Sequence, residues 1–532
     1  MLRLAHSGLC RSCDTGEHTA KILRALARAL FWDPGRWCPR GVHAIEVKPD
    51  VTRIAAIKQA FAPVSHPGLQ HRVLRGGAWL LGADLANRVI GLAKMVILAR
   101  LLVPEDFGLM GLALLVLSWF DTFSQTGFST ALIRKPGDVE PYLDTFWSVQ
   151  AIRGTLLSVV LFAGAPLAGS LFHNPGVIPI VRAVSVVALF KGVANPAVIY
   201  LRRQLRMDRE VIWRVGGNLT GFLVAVPVAL RYRSVWALVA AALAANVAEL
   251  VLSYLVIAHR PKFGLDWPKA REMMRYGKWI FWSNMASYLS LYADGWVVGR
   301  LLGGISLGYY QVAQQFGMTP LTGVWGNITA VALPAFSKLQ GGPSLRSAYL
   351  RSVRFASTAL FPLGALATAF ADTLVRLVLG EKWMPVCPLL RLLTWVGVLT
   401  ALSGVSIALL QAVNQPNHSA RAAFLRFASF AVLFYPLMKF YGVTGVALAA
   451  LISSPISLCY LYARAAKVLG WDWDLLLVFR PALLACTPVL ASLALAPFSL
   501  PVWIRISVAG LAGFSCIVIV VRQLWPLFQA TR

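Results

Sequence analysis

Charged side chains recur inside long apolar runs of this chain: Asp84, Arg88, Lys94, Asp121, Arg153, Lys191, Arg214, Glu249 and Asp294. A charge held in hydrocarbon costs about 3 kcal/mol, so each of these must meet a partner or a wet cavity. At ~100° per residue, Asp84, Asn87, Arg88, Gly91 and Lys94 fall within one arc of about 120° on a helix. A later apolar run carries Asn284, Ser287, Tyr288 and Asp294. Arginine and lysine in a shared cavity suit a phosphate or diphosphate, with the guanidinium supplying a fork of donors. Aromatics such as Trp79, Trp119, Tyr288, Tyr292, Tyr309 and Tyr310 suit sugar rings or a lipid tail, although at helical spacing packing is their commoner use. The plainer alternative pairs the charges as helix-packing glue, with Asp84 and Arg88 joined across one turn and Arg153, Arg214 and Arg300 snorkelling to an interface. Packing alone seldom needs five polar or small positions on one face, so the stripe on the first run reads as a cavity lining. The candidate binding set is Asp84, Asn87, Arg88, Lys94, Asp121, Lys191, Asn284, Tyr288 and Asp294.

Catalytic chemistry finds little support. The sequence has neither a phosphate-binding glycine loop nor an HExxH pair, and five of its histidines (His6, His18, His43, His66 and His71) crowd the N-terminus. Cys10-x-x-Cys13 with Cys38, His18 and His43 nearby lacks the second CxxC or HxxxH that a structural zinc site uses. Cys387, Cys459, Cys486 and Cys516 lie in or beside apolar runs and read as small hydrophobes. No cofactor and no catalytic residue is expected.

The elements that must position these groups follow from composition. The chain has 532 residues, is 58% hydrophobic and only 14% charged, and has a mean hydropathy of +0.66. Soluble proteins carry roughly a quarter charged residues. Apolar runs of about 20 residues, each long enough to cross a hydrocarbon core, recur from Ala78 onward. They predict an all-α polytopic membrane protein of about fourteen spans. Six fall near 78–100, 107–130, 145–170, 178–200, 211–231 and 235–257. Six more fall near 279–302, 308–334, 352–372, 388–411, 420–440 and 443–465, and the last two near 478–498 and 502–525. The net charge of +28 would suggest nucleic acid in a soluble chain, but most basic residues here sit in short inter-span loops. Arg134 and Lys135, Arg202–Arg209, Arg260–Lys278, Lys338–Arg354, Arg421, and Arg464 with Lys467 share one side. That asymmetry places both termini in the cytoplasm and leaves no case for nucleic acid.

Displaced by 200, the sequence matches itself: Arg100/Arg300, Leu101/Leu301, Leu102/Leu302, Gly108/Gly308 and Ala113/Ala313 are identical. Farther along the offset drifts to 209, where Pro179 meets Pro388 and Pro227 meets Pro436. Two six-helix bundles are expected, at 73–260 and 261–466, in the same orientation, with substrate held between them and alternating access as the mode of work. Two further helices occupy 467–532. Lys94 and Asp294 are equivalent under this offset, and a contact between them across the bundles is expected. Residues 1–72 carry no span and are expected to be a disordered, dispensable or mis-started extension, since no Met occurs between Met1 and Met95. The amphipathic stretch Thr19–Phe31 within it would suit membrane lipids.

At Leu98-Ala-Arg-Leu-Leu-Val-Pro-Glu-Asp-Phe-Gly-Leu109 the chain resembles the polysaccharide transporter family, the lipid-linked oligosaccharide flippases of the MOP superfamily. The likeness continues at Asp121-Thr-Phe-Ser-Gln-Thr-Gly-Phe-Ser-Thr-Ala-Leu-Ile133 and Leu201-Arg-Arg-Gln-Leu-Arg206. It recurs at Tyr276-Gly-Lys-Trp279, Leu333-Pro-Ala-Phe-Ser-Lys-Leu-Gln340 and Leu379-Gly-Glu-Lys-Trp383, nearest to colanic-acid-type exporters. The resemblance implies two six-helix bundles plus two peripheral helices, and an undecaprenyl-diphosphate-linked repeat unit moved out of the cytoplasmic leaflet of the bacterial inner membrane. It implies partners among polysaccharide polymerase and export machinery, and, from peptidoglycan-precursor flippases, a substrate role for Arg88 and Lys94. The alternatives are a cation-coupled small-molecule antiporter of the same superfamily and, more distantly, a membrane glycosyl- or acyltransferase.

Overall fold

The computed structural model describes residues 67–124, 140–198, 207–257, 259–339 and 343–470. The N-terminal extension up to residue 66, the basic pair Arg134–Lys135 and the last two expected spans lie outside them. In chain order the first elements are α1 (Pro67–Leu101), α2 (Pro104–Ser124), α3 (Glu140–Leu171), α4 (Val177–Val193), α5 (Met207–Tyr232) and α6 (Trp236–Val256). There follow α7 (Trp267–Leu301), α8 (Gly303–Gly317), α9 (Thr319–Leu339), α10 (Pro343–Ala369), a bent turn over Ala371–Leu379, α11 (Val386–Ala412) and α12 (Asn417–Leu469).

Local chemistry sets the boundaries. Pro104 starts α2, Glu105 and Asp106 fill its positive first turn, and Asp106 Oδ2 accepts from the Val103 amide at 3.2 Å. Asp266 caps α7 by accepting from the Lys269 amide at 3.3 Å, with Pro268 in the first turn. The hydrogen bonds from Lys269 hold the Asp266 carboxyl below the usual carboxylate range. Just before that cap the connecting segment is sewn onto the start of α3. Lys262 N donates to Asp144 Oδ1 at 3.0 Å and Gly264 N to Ser148 Oγ at 2.9 Å. α12 runs 53 residues but breaks at Gly442, whose φ of 57° only glycine adopts without strain, so it folds as two helices end to end.

The helix register carries the repeat. α1 and α7 are both 35 residues long, and both their ends differ by 200 (267 − 67 and 301 − 101). Pro227 lies inside α5 and Pro436 inside the first part of α12. Among the described residues six helices are long and apolar enough to cross a membrane, and the 68° bent pair of α10 with Ala371–Leu379 makes a seventh. α12 alone is long enough for two crossings. The chain is therefore an all-helical, multi-pass membrane protein. α1 and α7 escape a purely apolar criterion because they carry the polar stripes.

α2 packs along α8, and their backbones touch. A Cβ added at Gly108 would lie 3.1 Å from Gly304 Cα, and one at Gly308 would lie 3.0 Å from the Gly108 amide nitrogen. Gly108 and Gly308 are the identical pair of the sequence repeat, so that identity marks the place where the two repeats cross most closely. This crossing closes one end of the molecule, where α1, α3, α7 and α10 also terminate.

Candidate functional site

Away from that closed end, α2, α4, α7, α8 and the start of α9 diverge around a cavity of about 640 Å³. Met95, Leu114, Leu117, Ser118, Asp121 and Lys191 face it from the first repeat, and Tyr292, Asp294, Gln311, Gln314, Gln315 and Thr322 from the second. Its walls combine apolar side chains with amides and hydroxyls, and three charged residues stand among them.

Each of those charges has a different setting. Asp121 is ion-paired with Arg153 of α3, whose Nε also donates to Ser124 Oγ at 2.9 Å. Asp294 accepts from Tyr310 Oη at 2.7 Å, from Gln314 Nε2 at 3.3 Å and from the Gly295 amide at 2.8 Å. Lys191 is exposed to the cavity and makes no hydrogen bond or ion pair among the described residues. The cavity lining thus carries one cation, Lys191, together with Asp121 and Asp294, whose carboxylates have partners of their own. The amides and hydroxyls around it are the groups that hydrogen-bond a polyol.

The first-helix stripe behaves otherwise. Asp84 and Arg88 form the expected one-turn ion pair at 2.8 Å. The Arg88 guanidinium then packs on Gly323 of α9, filling the space a Cβ would need. Lys94 Nζ donates to Asn218 Oδ1 at 3.3 Å, and Asn218 Nδ2 reaches the Asn87 carbonyl at 3.2 Å. The stripe thus joins α1 to α5 and, through Arg88, to α9, and only Met95 from α1 lines the cavity. The expected Lys94–Asp294 contact is absent in this structure: each group is held by a neighbour within its own repeat. Tyr288 is buried and acts as a strut, donating to the Leu115 carbonyl of α2 at 3.1 Å and accepting from Trp296 Nε1 at 3.0 Å. Asn284 lies on α7, and its side chain is outside the described residues.

Sequence reasoning missed Arg426. It lies on α12, bonds Thr400 Oγ1 at 3.3 Å, and lines with Asp294, Ser290 and Ser453 a narrow pocket behind the cavity wall. Its signal was an arginine five residues inside an apolar run, beside Phe424 and Phe427.

This geometry can be set beside known proteins. The family described as polysaccharide biosynthesis protein matches residues 97–388, more than half of the chain. The chain belongs to that family. Among its relatives, the chain is similar to the lipopolysaccharide biosynthesis protein WzxC of Escherichia coli K12. The two are 24% identical, over 80% of this chain and 88% of WzxC. It is 25% identical to the succinoglycan biosynthesis transport protein ExoT of Rhizobium meliloti 1021, over 77% of this chain and 80% of ExoT. Its fold matches the lipid II flippase MurJ in an inward closed conformation, with a TM-score of 0.67 at 16% identity, covering 83% of this chain and 98% of MurJ. An inward-facing multidrug transporter of the MATE family matches at 0.57 and 17% identity, over 75% of this chain and all of that one. The chain thus has the fold that MurJ and this MATE-family transporter share.

Proposed function

We propose that this chain is a flippase for a lipid-linked oligosaccharide, an undecaprenyl-diphosphate-linked repeat unit destined for a surface polysaccharide. It works in the bacterial inner membrane by alternating access, with fourteen spans, two six-helix halves and both termini cytoplasmic. Polysaccharide polymerase and export machinery receive its product.

The observation that carries the reading is Lys191. It is a cation in a cavity shared by both repeats, within electrostatic reach of Glu249 on α6, and the same cavity is lined by Gln311, Gln314, Gln315, Ser118 and Thr322. In this reading Lys191 takes the diphosphate and the amides and hydroxyls take the sugars. Asp121 and Asp294 keep the remaining field from trapping the anion. Asp84, Asn87, Arg88, Lys94 and Tyr288 hold the helices that shape the cavity. Names of relatives support the same class: WzxC is described as a lipopolysaccharide biosynthesis protein and ExoT as a succinoglycan transport protein.

The test is glycan export in cells that depend on this chain. Lys191→Gln should lower export on the order of tenfold, because a hydrogen bond from a charged donor contributes about 1.5–3 kcal/mol. Lys191→Arg should retain most of it. Normal export by Lys191→Gln, with the protein inserted at wild-type level, contradicts the assignment. Export of soluble cations by the purified protein would favour the antiporter of the same superfamily instead.

A further inference from the structure

Two family-like stretches far apart in sequence, Leu98–Leu109 and Leu379–Trp383, meet at the closed end. Lys382 Nζ donates to the carbonyls of Arg100 at 2.8 Å and Leu102 at 2.5 Å, where α1 ends. In return Arg100 Nε donates to the Val378 carbonyl at 3.0 Å, and its Nη2 donates to that of Leu377. Each helix end thus lends a cation to the unpaired carbonyls of the other. Trp383 is fully buried beside them. Its Nε1 donates to the Ala99 carbonyl at 2.7 Å, and its ring meets Phe107 of α2 edge-on at 5.3 Å.

The same arrangement exists with the repeats exchanged. Arg300, which is Arg100 displaced by 200, ends α7 and lies on His173 in the α3–α4 turn, with Nη1 to Nε2 at 3.2 Å. In that turn Phe172, 3% exposed, stacks on Trp296 of α7 at 5.4 Å. Both turns pivot on a left-handed residue, His173 at φ 51° and Gly380 at φ 96°. So α1 is gripped by the turn between α10 and α11, and α7 by the turn between α3 and α4. A buried aromatic sits inside each grip and an arginine on its rim.

We propose that these two clasps are the gate that seals the cavity at this end. Arg100, Lys382, Trp383, Arg300 and His173 then set how often the cavity opens there, without touching substrate. The proposal deepens the flippase reading and rests on it for what passes the gate. The physical argument is that the rim bonds are exposed. When the halves part, water can take over the carbonyls and the cations, so breaking these bonds is cheap compared with unpacking a helix bundle. The buried Trp383 and Phe172 oppose that opening and keep the closed state dominant. A pseudo-twofold pair of clasps lets the two halves release together instead of peeling from one edge.

The experiment uses the full chain with its own cysteines replaced and Leu114→Cys as a reporter on the cavity wall. A membrane-impermeant maleimide is applied to spheroplasts, and separately to inverted vesicles. Arg100→Gln, Lys382→Gln and Arg300→Gln should each accelerate labelling from the outer face by roughly tenfold, the effect of one charge-assisted hydrogen bond on an equilibrium. Labelling from the cytoplasmic face should slow. The double variant Arg100→Gln/Arg300→Gln should exceed either single one. Where Trp383→Ala does not reach the membrane, Trp383→Phe removes the N–H and part of the ring and should act in the same direction. Unchanged rates from both faces in all these variants, or faster labelling from the cytoplasmic face, would overturn the gate. Labelling needs no cargo, so a gate that responds as stated in a chain whose deletion leaves glycan export unchanged would preserve the gate and remove the flippase reading.

Discussion

α1 and α7 are the same helix built twice, and they do different work. Both have 35 residues, end in an arginine-bearing last turn and carry a polar stripe. On α1 the stripe is taken up by the Asp84–Arg88 pair, by Asn218 on α5 and, for the Arg88 guanidinium, by Gly323 on α9. On α7 the equivalent of Lys94 is Asp294, which reaches the cavity wall and is held there by Tyr310 and Gln314 of α8. The repeat supplies a symmetric frame, and function enters where the copies diverge. A polar group in a span states only that it needs a partner. Whether the partner is a neighbouring helix or a cargo is decided by what stands opposite, which the span itself does not encode.

The largest expected effect lies where the copies are still identical. Gly108→Val and Gly308→Val should each be severe and similar, because both put a branched side chain into backbone atoms of the facing helix. Overpacking costs about 1–3 kcal/mol where side chains can move aside, and a main chain cannot. The check is the amount of detergent-extracted protein that remains monodisperse after mild heating. Tolerance of valine at either site would mean that α2 and α8 do not cross there.

Smaller effects should separate the diverged positions. Asp294→Ala leaves the buried Tyr310 hydroxyl and the Gln314 amide without their acceptor, a loss of about 1–3 kcal/mol. It should cut glycan export several-fold more than Lys94→Met, which removes one bond to Asn218 worth about 0.6 kcal/mol inside a membrane. Combining Lys94→Asp with Asp294→Lys should restore nothing, since the two side chains have separate partners. Rescue by the double exchange would show that they meet in another conformer and would undo the contrast between the helices.

Much of the frame was legible in the chain. The described helices overlap the apolar runs, and the 200-residue offset recurs in the ends of α1 and α7, although both helices begin about eleven to twelve residues before the runs near 78–100 and 279–302. Gly108/Gly308 and Arg100/Arg300 turned out to mark the crossing and the clasps. Legibility fell off at the site. Asp121, Lys191 and Asp294 line the cavity, while Asn87 and Lys94 meet Asn218 and Arg88 meets Asp84 and Gly323. Helical periodicity assigns a face to a helix but not the neighbour that the face meets, and Asn218 sits 124 residues from Lys94. Arg426 was overlooked for the same reason, because its pocket is assembled from α7 and two stretches of α12.

The central claim is that the cavity carries a lipid-linked diphosphate on Lys191. It is tested most directly by reconstituting the purified chain into liposomes with a fluorescent undecaprenyl-diphosphate oligosaccharide and following its transfer between leaflets. Transfer is expected from the wild-type chain, substantial transfer from Lys191→Arg, and transfer reduced on the order of tenfold from Lys191→Gln. Equal transfer by wild type and Lys191→Gln, or none by a wild-type chain that still binds the lipid, would contradict it.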